Sequence, residues 1–166
     1  MSWSEFPRRA LLLLALLLAG CGFQLRGSAS LGFATLALAG QGGALHDTLQ
    51  QRIAATTSTR VVADAKQAQA VLTLLGVTET QLPMAYNGDG TVAQYQLLET
   101  VRYQLVAADG ASLIAPTTLQ QSSTLSYSTG AALAKANEAQ LLFAGMRSDL
   151  VDRMLFQLAA VGGADH

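Results

Sequence analysis

A single cysteine, Cys21, occurs in the 166 residues, and it closes the run Leu18-Ala19-Gly20-Cys21 directly behind an apolar stretch. Upstream lie Arg8 and Arg9, then Ala10 to Ala19, almost wholly leucine and alanine. This is the arrangement of a bacterial lipoprotein signal. The arginines stay cytoplasmic, the leucines partition into the membrane, and the small Ala19 and Gly20 let a peptidase reach the backbone before the cysteine. A retained anchor is disfavoured by length, since the apolar run is about half of the roughly 20 residues a spanning helix needs. Cleavage makes Cys21 the acylated N-terminus. Its thiol is then used, no disulfide can form in an oxidising compartment, and the fold has to stand on packing alone.

Residues 1–20 therefore read as a removed signal, 21–32 as a lipidated tether rich in Gly and Ser, 33–161 as one domain and 162–166 as a tail. Without the signal, 146 residues are left, enough for one core and too few for two. The formal charge of −1 becomes −2, with eight basic and ten acidic residues. Such a balance does not suit nucleic acid.

Periodicity predicts the elements. A strand is expected over Phe33–Ala39, ending at the turn Gly40-Gln41-Gly42-Gly43. An amphipathic helix follows, with Leu45, Leu49 and Ile53 at steps of four and Thr56–Thr59 at its end. A short β segment is possible over Thr59–Ala63. In the longer strand after it, Val71, Thr73, Leu75, Val77 and Glu79 are expected on one face and Leu72 and Leu74 on the other, with Pro83 limiting its far end. Asn87-Gly88-Asp89-Gly90 and Asp109-Gly110 read as hairpin turns, because these residue types tolerate positive φ. Between them Tyr95, Leu97, Val101, Tyr103 and Leu105 share a face, and a last strand runs from about Thr117 to Tyr127. From Gly130 to Ala160, Leu142, Met146, Leu150, Met154 and Leu158 mark a long helix, capped by Thr129 and closed by Gly162-Gly163. The order β-α-β-β-β-α predicts an α+β two-layer sandwich: two helices on one face of a roughly four-stranded mixed sheet.

Enzyme signatures fail in turn. The histidines are His46, on the first helix, and His166, at the C-terminus, so neither a metal site nor a cofactor is expected. Ser122, Ser123, Ser126 and Ser128 have no histidine placed to activate them and no G-x-S-x-G around them. The Gly40–Gly43 loop lacks the third spaced glycine and the lysine of a phosphate loop. Asp149 and Asp152 stand three residues apart beside Arg153, which reads as a surface salt-bridge array rather than a hydrolase carboxylate pair. No catalytic residue is assigned.

Several segments carry a resemblance instead. Cys21-Gly22-Phe23-Gln24-Leu25-Arg26-Gly27, Ala93-Gln94-Tyr95-Gln96-Leu97, and Leu133-Ala134-Lys135-Ala136-Asn137-Glu138, continuing through Leu141-Leu142-Phe143-Ala144-Gly145-Met146-Arg147-Ser148-Asp149, together resemble the LptE family of lipopolysaccharide-assembly lipoproteins. The resemblance implies a non-enzymatic, lipid-anchored outer-membrane subunit that plugs the lumen of the LptD β-barrel, assists its assembly and binds lipopolysaccharide. Gly22 in place of aspartate agrees with sorting to a Gram-negative outer membrane. An open sheet face bearing Gln96, Thr100, Arg102 and Gln104 is expected to suit a polar barrel interior. Lys135 matches the lysine of the family's helix entry, and its ammonium suits a lipid phosphate. The family tends to carry a basic residue near the first hairpin, whereas Leu82–Val92 here has no Lys or Arg, so lipid binding falls to Lys135 and Arg102. The competing expectation is a periplasm-facing lipoprotein that scaffolds another envelope complex.

Overall fold

A computed structural model describes residues 30–163 of the chain; Cys21, the signal and His166 lie outside the described residues. The elements are β1 (Thr35–Gly40), α1 (Gly43–Thr56), β2 (Arg60–Val62), β3 (Ala70–Tyr86), β4 (Val92–Ala107), β5 (Ser112–Ser126) and α2 (Ala132–Gly162), with short 3-10 turns at Ala65–Gln67 and Thr129–Ala131. The sheet runs β2-β1-β3-β4-β5. β1 is parallel to both β2 and β3, and the two hairpins make β3-β4 and β4-β5 antiparallel. The sandwich is thus the expected one with a fifth strand, because Arg60–Val62 does pair with β1. Both helices contribute to one core against the same sheet face.

Three boundaries differ from the sequence reading, each for a physical reason. β3 continues through Pro83 to Tyr86. β1 pairs with it only as far as Leu74, so the rest of β3 has a free edge, where a missing N–H is tolerated, and the register shifts just after Pro83. β5 begins at Ser112 rather than Thr117, since it is an edge strand and accommodates Pro116. Thr129 does not cap α2. It lies in the preceding 3-10 turn, and the N-cap position falls on Ala131, which offers no side-chain acceptor.

The faces of β3 also change phase. A bulge between Leu74 and Gly76 inserts one extra residue, so Ala70, Leu72 and Leu74 face the helices before it and Val77 and Glu79 after it. The expected single face from Val71 to Glu79 is therefore split, and Leu75 is exposed.

Leu31 is already part of the core. It enters beside the end of α2, where a Cβ on Gly162 would overlap the Leu31 carbonyl. Gly40 serves the other end of β1: its φ is +88°, and a side chain would meet the Leu74 carbonyl. Tyr103, fully buried, donates its hydroxyl to the Gln157 amide oxygen. Burial pushes its phenol up to about 12.

Candidate functional site: an open polar face and a buried charge cluster

Register alone sorts the sheet into two faces. Opposite the helices, β4 presents Gln96, Leu98, Thr100, Arg102 and Gln104, and β5 presents Thr118, Gln120, Ser122, Thr124 and Ser126 beside them. β3 adds Thr78 and Thr80. Among these register-matched residues Arg102 is the one charge. It is exposed, it stands between Gly76 and Thr118, and no ion pair of the described residues involves it. The expected grouping of Gln96, Thr100, Arg102 and Gln104 on the helix-free face is what the pairing produces.

Lys135 belongs to the other layer. It stands near the start of α2, with its Nζ 2.7 Å from Glu138 Oε2, so the ammonium is paired along the helix. With Gln81, Leu125, Tyr127, Ala132, Ala136 and Ala139 it lines a small cavity between α2 and the distal end of the sheet. Tyr127 is held there by an edge-to-face contact with Tyr95, the ring centres 5.2 Å apart. Leu125 pairs with Tyr95, and Arg102 lies seven residues further along β4, roughly 23 Å at about 3.3 Å per residue. The structure thus keeps Lys135 and Arg102 apart, on opposite faces.

The sequence reading missed the most unusual group. Glu99 is fully buried on the helix-facing side of β4, and neither carboxylate oxygen has a hydrogen-bond partner. Its cross-strand neighbour is Glu79. Arg147 of α2 serves both: its Nη2 is 2.5 Å from Glu79 Oε1 and its Nε is 3.4 Å from Glu99 Oε1. Burial pushes the Glu99 carboxyl up to about 7 against the pull of Arg147, and Glu79 adds to the rise. The signal was legible: Glu99 interrupts the series Tyr95, Leu97, Val101, Tyr103, Leu105.

Other candidates resolve into structure. Asp152 pairs with Arg52 of α1 at 2.8 Å, and Asp149 accepts from the Gln121 amide. The expected array with Arg153 is instead a tie between the two helices, which Arg52 extends by donating to Ser148 Oγ. His46 has Asp47 for a neighbour, 3.6 Å away. No set of three metal-ligating side chains occurs among the described residues. None of their helices is long and apolar enough to cross a membrane.

Comparison with known proteins places this geometry. None of the curated proteins matches the chain in sequence. Among solved structures, a lipoprotein B from Nitrosomonas europaea is similar with a TM-score of 0.74 and 26% identity, covering 86% of this chain and 94% of that one. The rare lipoprotein B of Shewanella oneidensis shares the fold at a TM-score of 0.68 and 22% identity, over 80% of this chain and 99% of its own. A minor lipoprotein of Acinetobacter baumannii does so at 0.62 and 22%, over 76% and 91%. The family model described as LptE, lipopolysaccharide-assembly, matches residues 32–158, nearly the whole described domain. The chain belongs to the LptE family of lipopolysaccharide-assembly proteins.

Proposed function

We propose that the protein is a lipid-anchored outer-membrane subunit that sits in the lumen of an LptD-type β-barrel, assists the assembly of that barrel and binds lipopolysaccharide. The observation that carries this reading is the open sheet face, whose Gln, Ser and Thr side chains surround a single cation, Arg102. Large-barrel interiors are polar, so a barrel wall can supply hydrogen-bond partners to the uncharged groups of such a face, and Arg102 is the one charge that the wall or a bound phosphate has to pair. The helices turn their apolar sides to the sheet and leave this surface free. None of these roles requires a catalytic group. Lipopolysaccharide contact is assigned to Lys135 and Arg102, whose separation means that each meets a different part of the lipid.

Affinity-tagged protein extracted in mild detergent should bring down one large β-barrel; its absence would leave only the scaffold reading. Lipopolysaccharide capture by the mature chain carrying Cys21→Ala tests the lipid. Lys135→Asp should reduce capture several-fold at low salt and less at high salt, because phosphate attraction becomes repulsion. Its melting should barely move, since losing the Glu138 pair is offset by placing an anion near a helix N-terminus. Equal capture by wild type and Lys135→Asp would return Lys135 to an ordinary surface ion pair.

A further inference from the structure

The core is interrupted where Glu99 stands. The larger apolar cluster joins Val101, Tyr103 and Leu105 to α1 and to Leu150, Met154 and Leu158 of α2. The smaller one holds Leu97 and Leu125 under Ala139, Phe143 and Met146. Glu99 and Arg147 occupy the boundary on both elements, one between Leu97 and Val101, the other between Met146 and Leu150. One guanidinium therefore serves two carboxylates, and the cluster carries an excess negative charge whenever Glu99 is ionised. The other packed elements do not relieve it. β5 brings Gln121, the register partner of Glu99, but its amide donates to Asp149 of α2. The turn before α1 and its first residues bring Gln41–Leu45, none of them charged, to the cavity beside Glu79 and Arg147.

The part of α2 on the smaller cluster is also the weaker part. Its first turn has neither a side-chain cap nor an acidic residue. Gly145 stands inside the continuous helix, where glycine costs about 1 kcal/mol against alanine. A Cβ there would stand in open space, so no close approach demands the glycine.

We propose that Glu99, Arg147 and Glu79 form a proton-operated latch: with Glu99 protonated, the segment Ala132–Ala144 closes on the distal sheet, and with Glu99 ionised that segment opens about Gly145. The linkage gives the direction. In the closed form burial holds the Glu99 proton, at about 7, and once the segment lifts, water restores the ordinary value of 4.5. A raised value in the closed form means closure is strongest at low pH, weakens as pH rises from about 4.5 to about 7, and is level above that. Ala132, Lys135, Ala136 and Ala139 of the moving segment form one wall of the cavity whose other wall is Gln81, Leu125 and Tyr127, so the latch sets how open that cavity stands. It holds whether or not lipopolysaccharide or a barrel is the partner.

Amide hydrogen exchange on the full mature chain in mild detergent, expressed as protection factors, reads the latch directly. From about pH 5.5 to about pH 8, protection of Ala136–Phe143 should fall on the order of tenfold while Leu150–Leu158 stays level. Glu99→Gln should abolish that difference, and Gly145→Ala should raise protection of the segment at both pH values. Equal wild-type protection at the two pH values, or a Glu99→Gln protein that keeps the full difference, would overturn the proposal. Should Glu99→Gln fail to fold, Glu79→Gln serves instead. It leaves Arg147 to Glu99 alone, so the midpoint of the pH response should move down, and an unmoved midpoint counts against the latch.

Discussion

Arg147 is the residue whose loss exposes the logic of the core. Replacing it with methionine keeps the apolar stem but leaves Glu79 and the fully buried Glu99 facing each other with no cation. Breaking a buried pair from one side costs about 3–5 kcal/mol. The penalty belongs to the ionised carboxylates, and removing Arg147 takes away what lowers the Glu99 carboxyl, so the raised group titrates higher still. Stability of Arg147→Met should therefore be lowest at alkaline pH and recover as acid protonates Glu99. Urea denaturation at about pH 6 and about pH 8 checks this, and a deficit equal at both would rule out the carboxylates as its source. Half of this arrangement was legible in the sequence, because Glu99 breaks an alternating apolar series. The other half was not: Arg147 meets it only through the axial position of α2 over the sheet, which no local pattern encodes.

At the scale of elements, α2 shows why a periodicity fixes a helix better than it fixes a face. Leu142, Met146, Leu150, Met154 and Leu158 recur at steps of four, but four residues advance 400°, so the series rotates by about 40° at each repeat. It leaves the core toward its N-terminal end. There Phe143 and Ala139 are buried and Leu142 only half so, while Met146 to Leu158 stay inside. Met146→Asp should accordingly unfold the domain, losing a buried side chain and placing an unpaired carboxylate in the apolar cluster of Leu97, Leu125 and Phe143. Leu142→Asp should lower the melting temperature by less, and the exposed Gln140→Ala should be nearly silent. Thermal melting of the three ranks them, and an unshifted Met146→Asp would show that the buried face is misassigned. The strands repeat the lesson. Alternation on either side of Leu74 was readable in β3, whereas the bulge that reverses its phase depends on pairing with β4.

At the scale of the whole molecule, the long hairpins give the domain a direction relative to the lipid anchor proposed at Cys21. Leu31 packs at the end of α2 beside Gly162, the end where β4 turns into β5 through Asp109-Gly110. β3 runs from that end for 17 residues, roughly 55 Å, to the turn at Asn87–Gly90. The tether from Cys21 to Leu31 spans at most about 35 Å when fully extended. Acylation of Cys21, if the proposed anchor holds, would keep one end of the domain close to the lipid and leave the first hairpin turn to stand far from it or to swing down. Seating in a barrel lumen requires the upright form, with the open face of Arg102 along the wall rather than flat on headgroups. With Cys21 acylated, an introduced cysteine is the one free thiol, so a fluorophore can be placed at Ala108→Cys or Gly88→Cys in the lipidated protein bound to its barrel in vesicles. Spin-labelled lipid headgroups on the anchored side should quench the label at position 108 strongly and the one at position 88 weakly. Adding Cys21→Ser, which abolishes acylation, should remove the quenching of any protein not held by the barrel. Equal quenching at positions 88 and 108 in the barrel-bound protein would mean that the domain lies along the membrane, and the lumen reading would fail on geometry.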